Sequence, residues 1–559
     1  MQRAAHARSR SRARAQEVRA ARHGRVGRGL IATVLLASVV IFFGGLVLSG
    51  RAVPLPTTLR LQVEEVIAER LPETTVSIDD VAIMLGPNGA PRVRMENLEF
   101  GDLGGGGVAV LNGLTAYLSP GALLRGRLQP EQLVLDGAQV TVRRSRVGTL
   151  ALVAGSGGAN TEFSLPGLLS AFDAALESGP LSSIEEASAD WMVITLEDAR
   201  SGGIWQATNA AIRVRRSETG LTATVTSDVF NGTDSVAEVQ MSLAYESGSG
   251  DLGVGMRLVD VAARDIAAQA AALSWLGVLD APISGSVRAD IARDGTLSGL
   301  SGALDISAGA LTAQAGTEPI GFQTARAYLE FDPSQQRIDF SEVSVATDTL
   351  QVTATGHSYL AEVLDGWPRA FLGQFVISEF ALDEEELFRE PVALSGVQAD
   401  WRLRTDPFEL AVAQRATEQD GQIITGKGRV TAREDGWHVS VDGQTSQIAT
   451  DTVMQFWPLI EAPITRTWLD LNVRTGVLSD VTMAFRKVPG SRSDIGLNFS
   501  FEDGVVQFLP NMPQLVGAGG RAAISEDAFH LTMTKGGVTS SKGDWIDLSG
   551  STFAVPDIE

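Results

Sequence analysis

The stretch VQMSLAYESGSGDLGVGMRL, residues 239–258, sets Val239, Met241, Leu243 and Tyr245 before a polar loop and Leu252, Val254, Met256 and Leu258 after it. A spacing of two places each quartet on one face of an extended strand. Glu246 to Asp251 is rich in Gly and Ser, so the pair reads as an antiparallel hairpin with one apolar and one polar face. The same period continues upstream through Met192, Ile194, Leu196; Ile212, Val214; and Leu221, Ala223, Val225. Earlier still, Val76, Ile78 and Val93, Met95 alternate around the turn Gly86-Pro87-Asn88-Gly89, and Leu133, Leu135 and Val140, Val142 bracket Asp136-Gly137 as a further hairpin. Such a run predicts meanders of antiparallel strands and a mostly β fold.

Helical periodicity is confined to short segments. Leu59, Val63, Val66, Ile67 and Leu71 predict an amphipathic helix over 57–71. Leu165, Leu168, Leu169, Phe172 and Leu176 predict another, with Ser164 as its cap and Pro166 in its first turn. Apolar stretches at Ile266 to Leu279 and Thr450 to Ile460 also read as helical. An acid and a proline recur at Asp280-Ala-Pro282, Glu390-Pro391 and Glu461-Ala-Pro463, each before a predicted strand. The recurrence predicts an elongated body extended by accretion of helix, proline turn and strand.

Composition narrows the class. Cysteine is absent, which excludes disulfides, thiolate nucleophiles and zinc–thiolate sites. Fifty-nine glycines against 6% aromatics fit many short elements and turns. Residues 30–49, LIATVLLASVVIFFGGLVLS, carry no charge, and nine arginines with the single acid Glu17 precede them. Roughly 20 apolar residues span a bilayer, and flanking positive charge marks the cytoplasmic side. The expectation is an inner-membrane anchor over 30–50 with a cytoplasmic tail and a periplasmic body. A cleaved signal peptide is the alternative, although its apolar region usually runs only about 7 to 15 residues. The tail contributes +8, so a net charge of −22 leaves −30 for the remainder. An acidic body repels phosphate backbones, which argues against nucleic acid as a partner.

Chemical motifs are sparse. Gly421-Gln-Ile-Ile-Thr-Gly-Lys-Gly428 has the spacing of a phosphate loop, but Gly428 stands where the Mg²⁺-binding hydroxyl would be, and Gln422 to Thr425 read as strand. The five histidines, His6, His23, His357, His438 and His530, have no metal-ligand spacing. Asp383-Glu-Glu-Glu386 reads as acids opening a helical turn in preference to a carboxylate pair for glycoside hydrolysis. No catalytic residue, metal or cofactor is expected. Trp457 and Trp468 read as anchors fixing a helix against the sheet.

The order of anchor, short helix, Val76-Ser-Ile-Asp-Asp-Val81, Pro91-Arg-Val-Arg-Met-Glu-Asn-Leu-Glu-Phe100, Leu118-Ser-Pro-Gly-Ala-Leu-Leu-Arg-Gly126 and Leu133-Val-Leu-Asp-Gly-Ala-Gln-Val-Thr-Val142 resembles the start of AsmA-like proteins. The segment from Phe456 to Leu469, with Trp457, Pro458, Pro463, Arg466 and Trp468, is similar to the central region of the YhdP branch. The resemblance implies a bridge-like phospholipid transporter: a chorein-like start continued by a long twisted β-sheet groove that carries lipid toward the outer membrane. Members of that branch are usually about twice this length, and Phe553 to Glu559 reads as a strand just beginning. The expectation is therefore a truncated or short member.

The chain divides in this reading into a basic cytoplasmic tail (1–29), the anchor (30–50), a juxtamembrane helix with the first β unit (51–150), a β meander with short helices (151–280), and a central β-groove region (281–559). The physical case for a groove is that each CH₂ exposed to water costs about 0.8 kcal/mol, so an acyl chain in transit needs a continuous apolar shield. The alternating residues Leu133, Leu135, Val140, Val142, Met241, Leu243, Val254 and Met256 are the candidate groove lining. Allowing roughly 13 residues per strand and turn and about 4.8 Å per strand gives a rod on the order of 150 to 200 Å. Two functions fit: a phospholipid conduit, or a periplasmic scaffold that engages outer-membrane or other periplasmic proteins by strand addition. Whether the apolar faces form an open trough or a closed core stays open at this level.

Overall fold

The computed structural model describes residues 74–556 apart from short stretches, the longest being 154–159, together with scattered earlier positions. Twenty-three strands of nine or more residues follow one another. They are β1 (Thr74–Leu85), β2 (Pro91–Asp102), β3 (Val108–Leu118), β4 (Pro130–Arg144), β5 (Glu186–Asp198), β6 (Gly203–Arg216), β7 (Gly220–Phe230) and β8 (Ala237–Glu246). Next come β9 (Leu252–Ala262), β10 (Pro282–Ile291), β11 (Leu297–Ile306), β12 (Thr324–Asp332), β13 (Arg337–Ala346), β14 (Leu350–Ala361), β15 (Ala370–Leu382) and β16 (Val397–Thr405). The last are β17 (Phe408–Gln419), β18 (Gln422–Arg433), β19 (Gly436–Ala449), β20 (Val473–Lys487), β21 (Asp494–Val506), β22 (Leu515–Ser525) and β23 (Ala528–Thr539).

With the short strands among them they form one 29-stranded sheet. The β8–β9 hairpin forms as its alternation requires, Met241 opposite Met256 and Leu243 opposite Val254. Nearly every strand pairs antiparallel with its successor, as expected of a meander. The exception is β4, which runs parallel to β5 in the register Leu133 to Ala187 and Val142 to Leu196. Parallel neighbours need a crossover of a dozen or more residues, and residues 145–185 supply it, including the helix α1 (Leu165–Glu177).

Three local expectations are corrected. Asp136-Gly137 is no hairpin turn, because β4 runs unbroken through it. Gly137 sits at φ 66°, a left-handed backbone that kinks the strand as a bulge does. One residue is skipped in the alternation, so Leu133, Leu135, Val140 and Val142 belong to one strand. Secondly, the chain after Glu461 is not a strand but the helix Pro463–Asn472, with proline at the first helical position where its missing N–H costs nothing. Thirdly, the sheet is shorter than the rod expected: each long strand with its connection takes roughly 20 residues, so about 23 strands span on the order of 105 Å.

Helices sit on the apolar face. In α1 the Ser164 hydroxyl accepts from the Gly167 N–H at 3.1 Å, the predicted cap, and Leu169 and Leu176 pack among Leu221, Tyr245, Leu252 and Val254. The stretch read as helical from Ile266 forms α2 (Ala263–Ala267) and a 3₁₀ segment, Ala271–Val278. Ile266, Leu273 and Leu276 are buried there among Leu300, Leu304, Phe331, Ile338, Phe340 and Phe371. The helix over 57–71 and the anchor over 30–50 fall almost entirely outside the described residues. Among the described residues no helix is long and apolar enough to cross a membrane.

Candidate functional site

Register carries one line of side chains across the sheet. From Leu243 it passes through Val254, Ala289, Leu300, Phe331, Ile338, Ser358, Gly373, Trp401, Val412, Gly428, Val441, Phe485 and Ile495. A parallel line runs through Met241, Met256, Val287, Gly302, Leu329, Phe340, Gly356, Phe375 and Ala399. The single polar side chain in these rows, Ser358, is fully buried and donates to the Leu372 carbonyl at 3.4 Å. Because side chains alternate strictly, one face of the sheet is apolar over at least 14 consecutive strands, β8 to β21.

That face is closed in one region and open in another. Leu133, Met241, Leu243 and Val254 pack with the α1 cluster, Met256 with the α2 cluster, and Leu135 and Val140 with Ala138, Ala189, Met192 and Ala210. Val142 is half-buried beside them. The eight positions read as groove lining therefore share the apolar face, and most of them lie in buried clusters. On β17 to β21 the situation changes. Val412, Val441, Phe485 and Ile495 are half-buried and belong to none of the buried clusters, and Met483 is 45% exposed. Gly428 leaves a gap between them, since a Cβ there would meet only the Ser440 carbonyl at 3.8 Å. This floor was not singled out in the sequence; the alternation Val439, Val441 and Met483, Phe485 is its only sequence signal.

Aromatic rings and a second helical pair bound the floor. On one side the Trp401 indole stacks on Phe375 at 5.2 Å, and Phe375 meets Phe340 edge-on. On the other, α3 (Thr450–Phe456) places Val453 against Ile448, Leu478, Val481, Leu497, Phe499 and Phe501. The helix α4 (Pro463–Asn472) carries Arg466, 5% exposed. Its guanidinium donates to the carbonyls of Trp457 and Met454, each at 3.2 Å, closing the C-terminal end of α3 where carbonyls lack partners. Burial, and then the nearby Arg389, push the Arg466 pKa down, while Asp470 opposes them. Trp468 sits against Phe508 at 5.7 Å. Pro463 opens α4, and Pro458 lies outside the described residues. Arg466 thus ties α3 to α4 through the Met454 and Trp457 carbonyls, and Trp468 packs on Phe508.

The opposite face is polar and laced with ion pairs. Arg486 donates to Asp442 at 2.6 Å with Lys427 at 3.7 Å, and Arg402 and Arg404 share Glu362. The phosphate-loop-like segment lies in β18, extended as its residues suggested. Among the described residues no three acids or histidines gather as a metal site, and residues 384–386 of the acidic run lie outside them. Comparison of the chain with protein-family models, with curated proteins and with solved structures finds no match in any of the three.

Proposed function

We propose that this protein binds lipid acyl chains on its apolar sheet face and transfers phospholipid from the inner membrane, where residues 30–50 anchor it, through the periplasm toward the outer membrane. The observation that carries the reading is the uncovered floor of Val412, Gly428, Val441, Phe485 and Ile495. A half-buried apolar patch with no buried cluster packed over it fits an interaction site, and its place in a line of side chains crossing most of the sheet favours an extended apolar ligand. Five strands give it a length of about 19 Å, comparable to one extended acyl chain. The reading agrees with what the AsmA-like resemblance implies, and it needs no catalysis or cofactor. Gently purified full-length protein should yield stoichiometric phospholipid by mass spectrometry, and Val441→Asp should reduce it while leaving the circular dichroism spectrum unchanged. A folded, lipid-free wild type would exclude the reading in favour of a scaffold engaging proteins through its sheet edges.

A further inference from the structure

A cleft of about 690 Å³ lies over β8 to β14, within the size range of small-molecule sites; the polar-face residues Gln240, Arg257, Arg288, Ser301 and Glu330 line it together with residues of the Met256–Gly356 row. Arg257 and Arg288 line one wall. Register sets Arg257 opposite Ser286 and Arg288 opposite Gly255, so the two guanidiniums start from diagonal positions and can converge on one ligand. Both are exposed, and among the described residues neither makes an ion pair or a side-chain hydrogen bond. Glu330 lines the other wall and stands directly opposite Asp339 on β13. Like charges in that position repel; Arg337 neutralises Asp339, and Glu330 makes no ion pair among the described residues. Ser301 separates the walls, paired with Arg288 on one side and with Glu330 on the other, which sets them about 10 Å apart.

The charges call for a ligand with an anion at one end and a cation at the other. Two converging guanidiniums suit a tetrahedral anion with several acceptor oxygens, and the separation exceeds what an α-amino acid's adjacent charges span. The negative charge of the whole chain does not forbid this, because exposed charges are screened beyond about 8 Å in physiological salt. We propose that this cleft binds a zwitterionic amino phosphate, a phosphoethanolamine-type group, either free or as a lipid headgroup. The proposal stands on the polar face alone and does not depend on the apolar floor.

Titration of the full-length protein in detergent with O-phosphoethanolamine, inorganic phosphate and ethanolamine tests it. Phosphoethanolamine should bind at least about tenfold more tightly than either half-ligand, and the double change Arg257→Gln, Arg288→Gln should abolish binding. Glu330→Gln should leave phosphate binding intact and make phosphoethanolamine no better than phosphate. Competition by phosphatidylethanolamine vesicles, and not by phosphatidylglycerol vesicles, assigns the headgroup as the source; failure of both to compete assigns the free compound. Equal affinity for all three small probes, or unchanged binding in the double arginine variant, overturns the proposal. All three changes are at exposed positions, and circular dichroism reports that the variants remain folded.

Discussion

Arg466 links two helices through main-chain carbonyls and, among the described residues, makes no salt bridge. Replacing it by Met leaves the Met454 and Trp457 oxygens without their donor, a loss of roughly 2 to 3 kcal/mol that urea denaturation should register, with hydrogen exchange rising first in α3 and α4. Glycine can matter as much by what it omits. The Trp401 ring lies over Gly373, where an added Cβ would come within 2.3 Å of the His357 carbonyl oxygen and 2.7 Å of the indole Nε1. Gly373→Ala should therefore cost about 1 to 3 kcal/mol, whereas Gly321→Ala, with nothing within 4 Å, should be nearly neutral in the same melt. Titration follows from the arginine partners. A hydrogen bond from Arg389 holds the Asp470 carboxyl below its usual 3.8, and one from Arg486 does the same for Asp442. Carboxyls depressed in the folded state stabilise it above their unfolded pKa, and that contribution is lost as pH falls through the lowered value. Stability should drop below about pH 4, and Asp470→Asn should flatten that part of an acid-unfolding curve followed by circular dichroism.

Elements differ in what their apolar residues do, and paired substitutions separate the roles. Leu276, fully buried in the 3₁₀ segment, should lose about 2 to 5 kcal/mol on change to Ala. Val441, in the same apolar face but under no buried cluster, should lose less than about 1 kcal/mol in thermal melts, because little cavity forms where nothing packs above. Strand identity was legible from period two alone at β8, β9 and the neighbours of Val214 and Val225. The caps and prolines of α1 were legible for the same reason: Ser164 and Pro166 act through local chemistry. Coverage was not legible. Met241 and Val441 share one alternating pattern, and only the long-range return of α1 and of residues 263–278 decides which of them is roofed over. Gly137 misled because Asp-Gly between apolar pairs is the strongest hairpin signal, yet one left-handed residue inside a strand satisfies the same backbone. The uncovered floor escaped notice because its glycines, Gly428 among them, register as gaps in the pattern.

At the scale of the molecule, each strand touches chiefly its two neighbours, so stability is nearly a sum of local terms. Leu276→Ala should raise hydrogen exchange in β9 to β15, whose side chains surround that residue, and leave β22 and β23 unchanged. A single cooperative loss of protection along the whole chain would contradict this. The parallel pairing of β4 with β5 has a consequence in time. A meander can assemble in the order in which its chain emerges, each strand docking on the one just made. At β4 that order breaks, because β5 begins only at Glu186. From Arg144 until then, one flank of β4 is an exposed template with its proper occupant still missing. A chain threaded through a narrow exit must therefore pause its zippering once, and this interval is when a chaperone or a misplaced strand would find its opening.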